Sequence, residues 1–197
     1  MQVIHWREAR HTPASTPNMI TITGSVHRSF EFPSHSEAAF DFYANARRTL
    51  SMLPHISIVR QYCPDQYRMM YDTTELGIYR VRMLCDIQVE LDRETSVLRI
   101  RPMTDPPPVA IEAGVYSLAG QGFFSSESIF RDTGQSTLVD YRFQLGADLP
   151  VPFGIRFMPE SVLNGIASSI TQWRIDEIVD GFIRRSLDTY CLDRFDR

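Results

Sequence analysis

The sequence contains no lysine, since all 20 of its basic residues are arginine. A side-chain Schiff base and a lysine nucleophile are therefore impossible, which excludes aldolase-type and pyridoxal-type chemistry. The net charge of −4 gives a polyanion no general attraction, so nucleic acid is not expected as a partner. The composition thus predicts neither a lysine-based enzyme nor a nucleic-acid-binding protein.

Cysteine and long apolar runs are also scarce. Cys63, Cys85 and Cys191 are too few and too scattered for a disulfide framework or a zinc site. No apolar run approaches the roughly 20 residues of a spanning helix, so a transmembrane segment is not expected. The first residues, 1–16, include no apolar stretch of signal-peptide length. These absences predict a protein of the reducing cytoplasm.

Motifs that hold metals, cofactors or nucleophiles are missing as well. The five histidines never occur at metal-ligand spacing, so neither a metal nor a cofactor is expected. Gly120 and Gly122 lack the third glycine and the following helix of a dinucleotide site. Cys85 lies in an apolar row, where a small buried hydrophobe is expected rather than a nucleophile. The sequence therefore indicates no catalytic residue, although it does not exclude that the protein is an enzyme.

What the sequence does contain is a pattern of strands. Apolar residues occupy every second position from Tyr79 to Leu91, which predicts a strand with one buried and one wet face. The other extended segments are 19–32, 56–63, 67–74, 97–101, 123–131 and 137–149. Between the first two, residues 34–53 predict a helical pair that divides near Asn45 and starts with Ser34 as its cap. A long last helix is predicted over residues 160–192, after Pro159.

The last helix changes its apolar face halfway along. At 100° per residue, Leu163, Ile166, Ile170 and Trp173 share one side, whereas the apolar residues of the second half lie opposite. One interpretation is a kink, or a second packing partner inside the domain. The other is a surface for a protein partner or for self-association, formed by Ile178, Phe182 and Tyr190.

Several local sequences resemble the opening of START-like proteins, the superfamily also called SRPBCC. These are Phe30–Phe32 with Pro33, then Ser36–Phe42, then Leu53 with Pro54. The run Leu149–Pro152 is similar to an uncharacterised branch found in cyanobacteria and plants. The resemblance implies an α+β helix-grip domain over 19–192, between tails 1–18 and 193–197. In that fold a curved antiparallel sheet, here of six to seven strands, surrounds a long C-terminal helix and leaves a cavity.

The candidate ligand-binding residues are those that the strand alternation places on the inner face of the sheet, together with the apolar face of the first half of the last helix. They are Tyr79, Val81, Met83, Ser126, Ser128, Val139, Tyr141, Phe143, Ile166, Ile170 and Trp173. Small hydroxyl residues between aromatic residues are typical of ligand pockets. The same side chains are equally compatible with a close-packed core.

Three functions follow from these observations and from the resemblance. Members of the superfamily bind lipids, sterols, pigments or hormones, cyclise polyketides, or assist assembly. The first hypothesis is therefore non-enzymatic binding of a small apolar molecule, such as a lipid, isoprenoid or pigment. The second is an interaction or assembly factor with a closed core. The third is a cyclase-like enzyme, whose acid–base groups would be Glu177, Asp180 or Arg184.

Overall fold

A computed structural model describes residues 18–195, so nearly all of the predicted N-terminal tail lies outside the described residues. The strands are β1 Met19–Phe32, β2 Ile56–Cys63, β3 Gln66–Glu75, β4 Tyr79–Asp92, β5 Val97–Pro102, β6 Glu112–Ala113, β7 Ser117–Asp132 and β8 Thr137–Pro150. The helices are α1 Ser36–Ala44, α2 Ala46–Ser51 and α3 Glu160–Phe195, and the 3-10 turn Phe153–Ile155 precedes α3. This is the predicted α+β helix-grip arrangement, with a curved sheet and a long C-terminal helix.

The sheet has eight strands, one more than the upper end of the prediction. Its order is β1-β8-β7-β5-β4-β3-β2, and the two-residue strand β6 pairs with β7 beside this path. The strands pair antiparallel except where the start of β7 runs parallel to the start of β4. Further along, β7 leaves β4 and pairs with β5 instead.

The alternation in β4 predicted its buried face correctly from Val81 to Val89, but Leu91 at the end of the predicted row is 44% exposed. Val81, Met83, Cys85, Ile87 and Val89 are all buried, and the core of the domain forms on that face. An apolar side chain of this size contributes roughly 1.5–3 kcal/mol when fully buried. Since β4 lies inside the sheet, its buried row supports both the neighbouring strands and the helices above them.

Two local predictions on the helical pair had different outcomes. The division is confirmed, because Asn45 separates α1 from α2 as the N-cap residue of α2, and its side chain accepts a hydrogen bond from the Arg48 backbone at 3.1 Å. The Ser34 cap is wrong, because α1 begins at Ser36 and His35 is the N-cap residue, without a side-chain cap. Instead the Ser34 carbonyl accepts a hydrogen bond from the Thr137 hydroxyl at 2.6 Å. Ser34 therefore links the chain to β8 and lies outside the helix.

Strand β7 begins six residues before the predicted segment, at Ser117. Gly120 and Gly122 precede the predicted segment, and both lie inside the strand. A Cβ on Gly122 would come 3.0 Å from the Gly146 carbonyl and 3.1 Å from the Cys85 sulfur. The two glycines thus permit close packing of β7 against its neighbours. Their presence is explained by this packing, and no nucleotide site is needed to account for them.

The second half of α3, and not the first, supplies the buried face of the helix. Ile175, Ile178, Val179 and Phe182 are at most 3% exposed and belong to the core. The face of the first half, which was predicted to point inward, is more exposed: Ile166 is 37% exposed and Trp173 is 57% exposed. Helix α3 also extends to Phe195, three residues into the segment predicted as a C-terminal tail. Within residues 18–195, no helix is long and apolar enough to cross a membrane.

Candidate functional site: an apolar cavity under the first half of the last helix

A cavity of about 150 Å³ lies between the sheet and the first half of α3, and it is partly open to solvent. The strands contribute mainly aliphatic side chains, and the helix contributes Ile166, Ala167 and Ile170. The third wall is the segment after β8, which contributes Pro152, Ile155 and Met158. No residue of α3 before Thr171 is buried, whereas one face of the helix is buried after it, so the cavity occupies the space where the helix is least closely packed.

Tyr71, Glu75 and Arg174 are among the residues that line the cavity, and their polar groups bond to one another. The Arg174 Nε donates to both oxygens of Glu75, at 2.9 and 3.2 Å. The Tyr71 hydroxyl donates to Glu75 Oε1 at 3.0 Å. The side chains of Arg174 and Glu75 are only 12% and 10% exposed, so this ion pair is largely removed from water. A largely buried pair that is also hydrogen-bonded holds its groups in fixed positions.

The pair extends towards the surface through Glu177. Nη1 of Arg174 donates to Glu177 Oε2 at 2.5 Å, and His55 lies 3.2 Å from the other oxygen of Glu177. Burial by itself would raise the pKa of Glu177, but the hydrogen bonds from Arg174 and His55 lower it below its usual range. Burial likewise opposes the charge of Arg174, yet its two carboxylate partners leave its pKa raised. Both charges therefore persist at neutral pH.

Burial, followed by the negative charge of Glu75, raises the pKa of Tyr71 well above its usual range. Tyr71 is therefore a neutral phenol at neutral pH. Its hydroxyl acts as a donor to Glu75.

Several exposed apolar side chains lie in or next to the segments that line the cavity. Leu76 and Ile78 are 63% and 55% exposed on either side of Gly77, in the turn between β3 and β4. Phe157, which precedes α3, is 96% exposed. Leu76 also belongs to the cavity wall. Apolar surface thus continues from the cavity interior onto the exterior of the protein, a feature often associated with binding.

The cavity contains some of the predicted ligand-binding residues. Tyr79, Val81, Met83, Ile166 and Ile170 line it. Their role in binding a ligand remains a prediction.

The other predicted residues do not line this cavity. Trp173 lies on the exposed side of α3, where the Arg174 guanidinium is 4.3 Å from the centre of its ring. The remaining ones are buried in the close-packed part of the core: Ser126, Ser128, Val139, Tyr141 and Phe143. Strand parity identifies the inner face, but it does not show where along a strand the helix withdraws from the sheet.

Glu75 and Arg174 were missed, although the sequence contains a signal for each. Glu75 continues the buried odd-numbered row of β3, after Tyr71 and Thr73. An acidic residue in a buried row needs a partner. Arg174 follows Ile170 by four positions and Ala167 by seven, so it shares their helix face. That the two residues meet is evident only from the tertiary structure, since 99 positions separate them.

The predicted interaction patch is corrected by the structure. Ile178 and Phe182 are buried, and the Tyr190 ring packs 4.5 Å from that of Phe32. These side chains form part of the domain core and are not a surface for a partner. Their partners lie on β1, β8 and α1, which the helical pattern of α3 alone could not identify.

None of the three acid–base groups proposed for an enzyme lines the cavity, although Glu177 accepts a hydrogen bond from Arg174, which does. Asp180 is on the surface, where it accepts a hydrogen bond from Arg28 at 3.1 Å, and Arg184 is exposed. Cys85 is buried as predicted, and burial raises the pKa of its thiol to about 12. Among residues 18–195, no cluster of His, Cys, Asp and Glu side chains could hold a metal ion.

Comparison with known proteins identifies the fold. No family model and no curated protein matches the chain. Among solved structures, the di-domain aromatase/cyclase StfQ of the steffimycin pathway matches with a TM-score of 0.50 and 11% identity, over 89% of this chain and 52% of that one. A protein of Thermus thermophilus matches with a TM-score of 0.48 and 15% identity, over 84% of this chain and 99% of that one.

A third match is the Zhui aromatase/cyclase of a Streptomyces species, with a TM-score of 0.46 and 11% identity, over 84% of this chain and 90% of that one. Identities this low show the fold alone. The similarity to a cyanobacterial and plant branch stays a prediction. The chain shares the helix-grip fold of aromatase/cyclases and related proteins.

Proposed function

We propose that the protein binds a small apolar molecule, without transforming it, in the cavity under the first half of α3. The observation that supports this is the cavity itself, whose wall is almost wholly aliphatic and which is partly open to solvent. Moving apolar area out of water stabilises a complex by roughly 25 cal/mol per Å². A preformed cavity also reduces the cost of ordering the protein around its ligand.

The size of the cavity limits what it encloses. Its volume of about 150 Å³ equals that of an engineered protein cavity of roughly 150 Å³ that binds benzene. One ring or a short branched chain therefore fits inside. A longer isoprenoid, lipid or pigment would place one end in the cavity and extend past Leu76 into the exposed apolar region.

An interaction factor with a closed core is less well supported. Ile178 and Phe182, on which its docking surface depended, are buried in the domain core. The cyclase-like enzyme is also less well supported, because Glu177, Asp180 and Arg184 are not part of the cavity wall. Binding requires only the space that the fold leaves open, whereas an enzyme would also need acid–base groups within it.

The experiment is titration with the neutral fluorescent probe N-phenylnaphthylamine. We expect an increase in emission at one probe per chain. Ala167→Trp should abolish this signal, because Ala167 lines the cavity and a tryptophan side chain would fill most of it. Ser168→Trp is the matched control, since Ser168 is the exposed neighbour of Ala167 on the same helix.

Circular dichroism separates loss of binding from loss of fold. Ala167→Trp should keep the native spectrum while Ser168→Trp keeps both spectrum and binding. Probe binding that persists in Ala167→Trp would place the probe elsewhere. Absence of binding to the unsubstituted protein, together with a destabilisation of about 1–3 kcal/mol in Ala167→Trp, would mean that the cavity is closed in solution and the proposal is wrong.

A further inference from the structure

We propose that a second copy of this chain docks on the open side of the cavity, with Phe157 of each copy inserted into the cavity of the other. Six exposed apolar side chains define the docking surface, here called the mouth patch: Leu76, Ile78, Tyr116, Phe153, Phe157 and Ile166. Their exposed fractions range from 37% for Ile166 to 96% for Phe157. The proposal goes beyond the binding of a small molecule, although both use the same cavity.

Four members of the mouth patch lie at the cavity or directly beside it. Leu76 and Ile166 are part of the cavity wall. Phe157 immediately precedes Met158, which also lines the cavity. Ile78 lies two residues after Leu76, in the same turn between β3 and β4. The patch therefore begins where the cavity opens.

The other two members, Tyr116 and Phe153, adjoin the same wall. The Tyr116 ring lies 6.0 Å from the ring of Tyr79, which lines the cavity. The Phe153 backbone N–H donates to the carbonyl of Gly114 at 3.2 Å, so Phe153 lies next to the segment that contains Tyr116. The six side chains thus belong to one region of the surface around the cavity.

The area of the mouth patch is sufficient for a dimer interface. Its three aromatic members together expose about as much as two whole aromatic side chains, roughly 400 Å². The three aliphatic members add roughly 150 Å². Since only about 57% of a typical interface is non-polar, this apolar area corresponds to an interface of roughly 900 Å² per partner. Specific protein–protein interfaces bury about 800 Å² per partner.

The mouth patch is also complementary to itself in shape. It combines one fully presented ring, that of Phe157, with one hole, the cavity of about 150 Å³. A phenyl ring has the size of benzene, which an apolar cavity of roughly 150 Å³ accommodates. Because Phe157 is 96% exposed, its ring does not enter the cavity of its own chain. Ring and hole lie side by side, so a two-fold axis between two copies allows both rings to insert at once.

The charges beside the patch favour a second copy over a membrane surface. Arg80 pairs with Asp72 at 2.6 Å, and Arg82 lies 3.7 Å from Glu112. Anionic lipid attracts surfaces that carry an excess of basic side chains. Here the two arginines are matched by carboxylates, so that attraction is weak. A copy of the same chain presents the same balanced charges and meets no net repulsion.

Sedimentation velocity of the full chain at a series of concentrations tests for the dimer. We expect the sedimentation coefficient to rise from the value of a monomer to that of a dimer as the concentration increases. Phe157→Asp should raise the dissociation constant of the dimer by at least about thirtyfold, the effect of losing a residue at the centre of an interface. Its circular dichroism spectrum should stay native, because Phe157 is exposed in the single chain.

Leu192→Asp is the matched control. Leu192 is 65% exposed near the C-terminal end of α3, the end away from the cavity. The same charge placed there should leave the dissociation constant unchanged. A loss of the dimer in both variants would mean that added charge, and not the position of Phe157, prevents association, and this would overturn the proposal.

The fluorescent probe tests whether Phe157 occupies the cavity. N-phenylnaphthylamine in excess should shift the equilibrium towards the monomer, because probe and ring require the same space. A dimer that persists with the probe bound in the cavity would overturn the insertion of Phe157. If the probe does not bind, the proposed function fails, whereas a dimer that is lost only in Phe157→Asp still supports this inference.

Two further results would contradict the proposal. One is a chain that stays monomeric at every concentration, or a dimer that Phe157→Asp leaves intact. The other is a monomer that co-sediments with vesicles of phosphatidylcholine and phosphatidylglycerol, which would assign the mouth patch to a membrane instead.

Discussion

At the scale of single residues, the surroundings of a side chain decide its role. Phe182 is 3% exposed, and its ring lies 5.1 Å from that of Tyr141 and 6.0 Å from that of Tyr43. Phe157, of the same residue type, is 96% exposed beside the start of α3. The first side chain stabilises the domain, whereas the second is free to contact something outside it.

Phe182→Ala and Phe157→Ala therefore form a matched pair. We expect Phe182→Ala to lower the free energy of unfolding by about 3–5 kcal/mol, the usual cost of truncating a buried aromatic side chain. Phe157→Ala should change it by less than about 0.5 kcal/mol. Urea unfolding measures both changes. A folded, unaltered Phe182→Ala variant that lost self-association on gel filtration would restore the docking interpretation and contradict the buried position.

Among the elements, α3 has two halves with different surroundings. The buried half approaches Pro54 so closely that a Cβ on Gly181 would lie 2.6 Å from the proline Cγ. In the half above the cavity, a Cβ on Gly165 would meet nothing within 4 Å. The helix is therefore held against the helical pair near its C-terminal half and is open to substitution near its N-terminal half.

Alanine substitutions at the two glycines should have opposite effects. Gly165→Ala should stabilise the protein by about 0.5–1 kcal/mol, because alanine is the better helix former. Gly181→Ala should destabilise it, because displacing the rigid Pro54 ring has an overpacking cost of about 1–3 kcal/mol that exceeds the same gain. Thermal unfolding of both variants measures the difference. Equal stabilisation by both would show that α3 does not contact Pro54 as described.

Across the whole molecule, ionisable groups determine the pH range of stability. Hydrogen bonds lower the pKa of several carboxylates, and the group includes Asp72, Asp92, Asp132 and Asp140. Burial raises the pKa of Tyr43, Tyr71 and Tyr141. The carboxylates stabilise the fold above their unfolded pKa of about 4, and the tyrosines stabilise it below theirs of about 10. Stability is therefore expected to decline on both sides of this range.

Asp140 is the best single residue for testing how stability falls at acidic pH. Its side chain is 9% exposed, and the hydrogen bond from His27 is the largest cause of its lowered pKa, followed by smaller contributions from Ser29 and Arg131. Because the folded pKa lies below the unfolded one, the stabilisation is present above about pH 4 and is lost as the pH falls through the folded value.

Asp140→Asn should therefore be less stable than the unsubstituted protein at neutral pH. It should also lose less of its stability between about pH 4 and pH 2, because asparagine does not titrate in that range. Urea unfolding at a series of pH values measures both curves. Parallel curves over the acidic range would contradict the assignment of Asp140.

The sequence by itself determined the order of the elements apart from the short strand β6, the ends of β1, most of the buried face of β4 and the division of the helical pair at Asn45, because these depend on local periodicity and on capping residues. It also indicated that the apolar residues of α3 lie on two faces. Only the tertiary structure decided which half of α3 is buried, because helical periodicity defines a face without identifying what packs against it. The cavity and the nearby Glu75–Arg174 pair depend on which half of α3 is buried. They exist because the buried half of the helix is held in the core while the preceding half stands away from the sheet, and this brings together residues 99 positions apart.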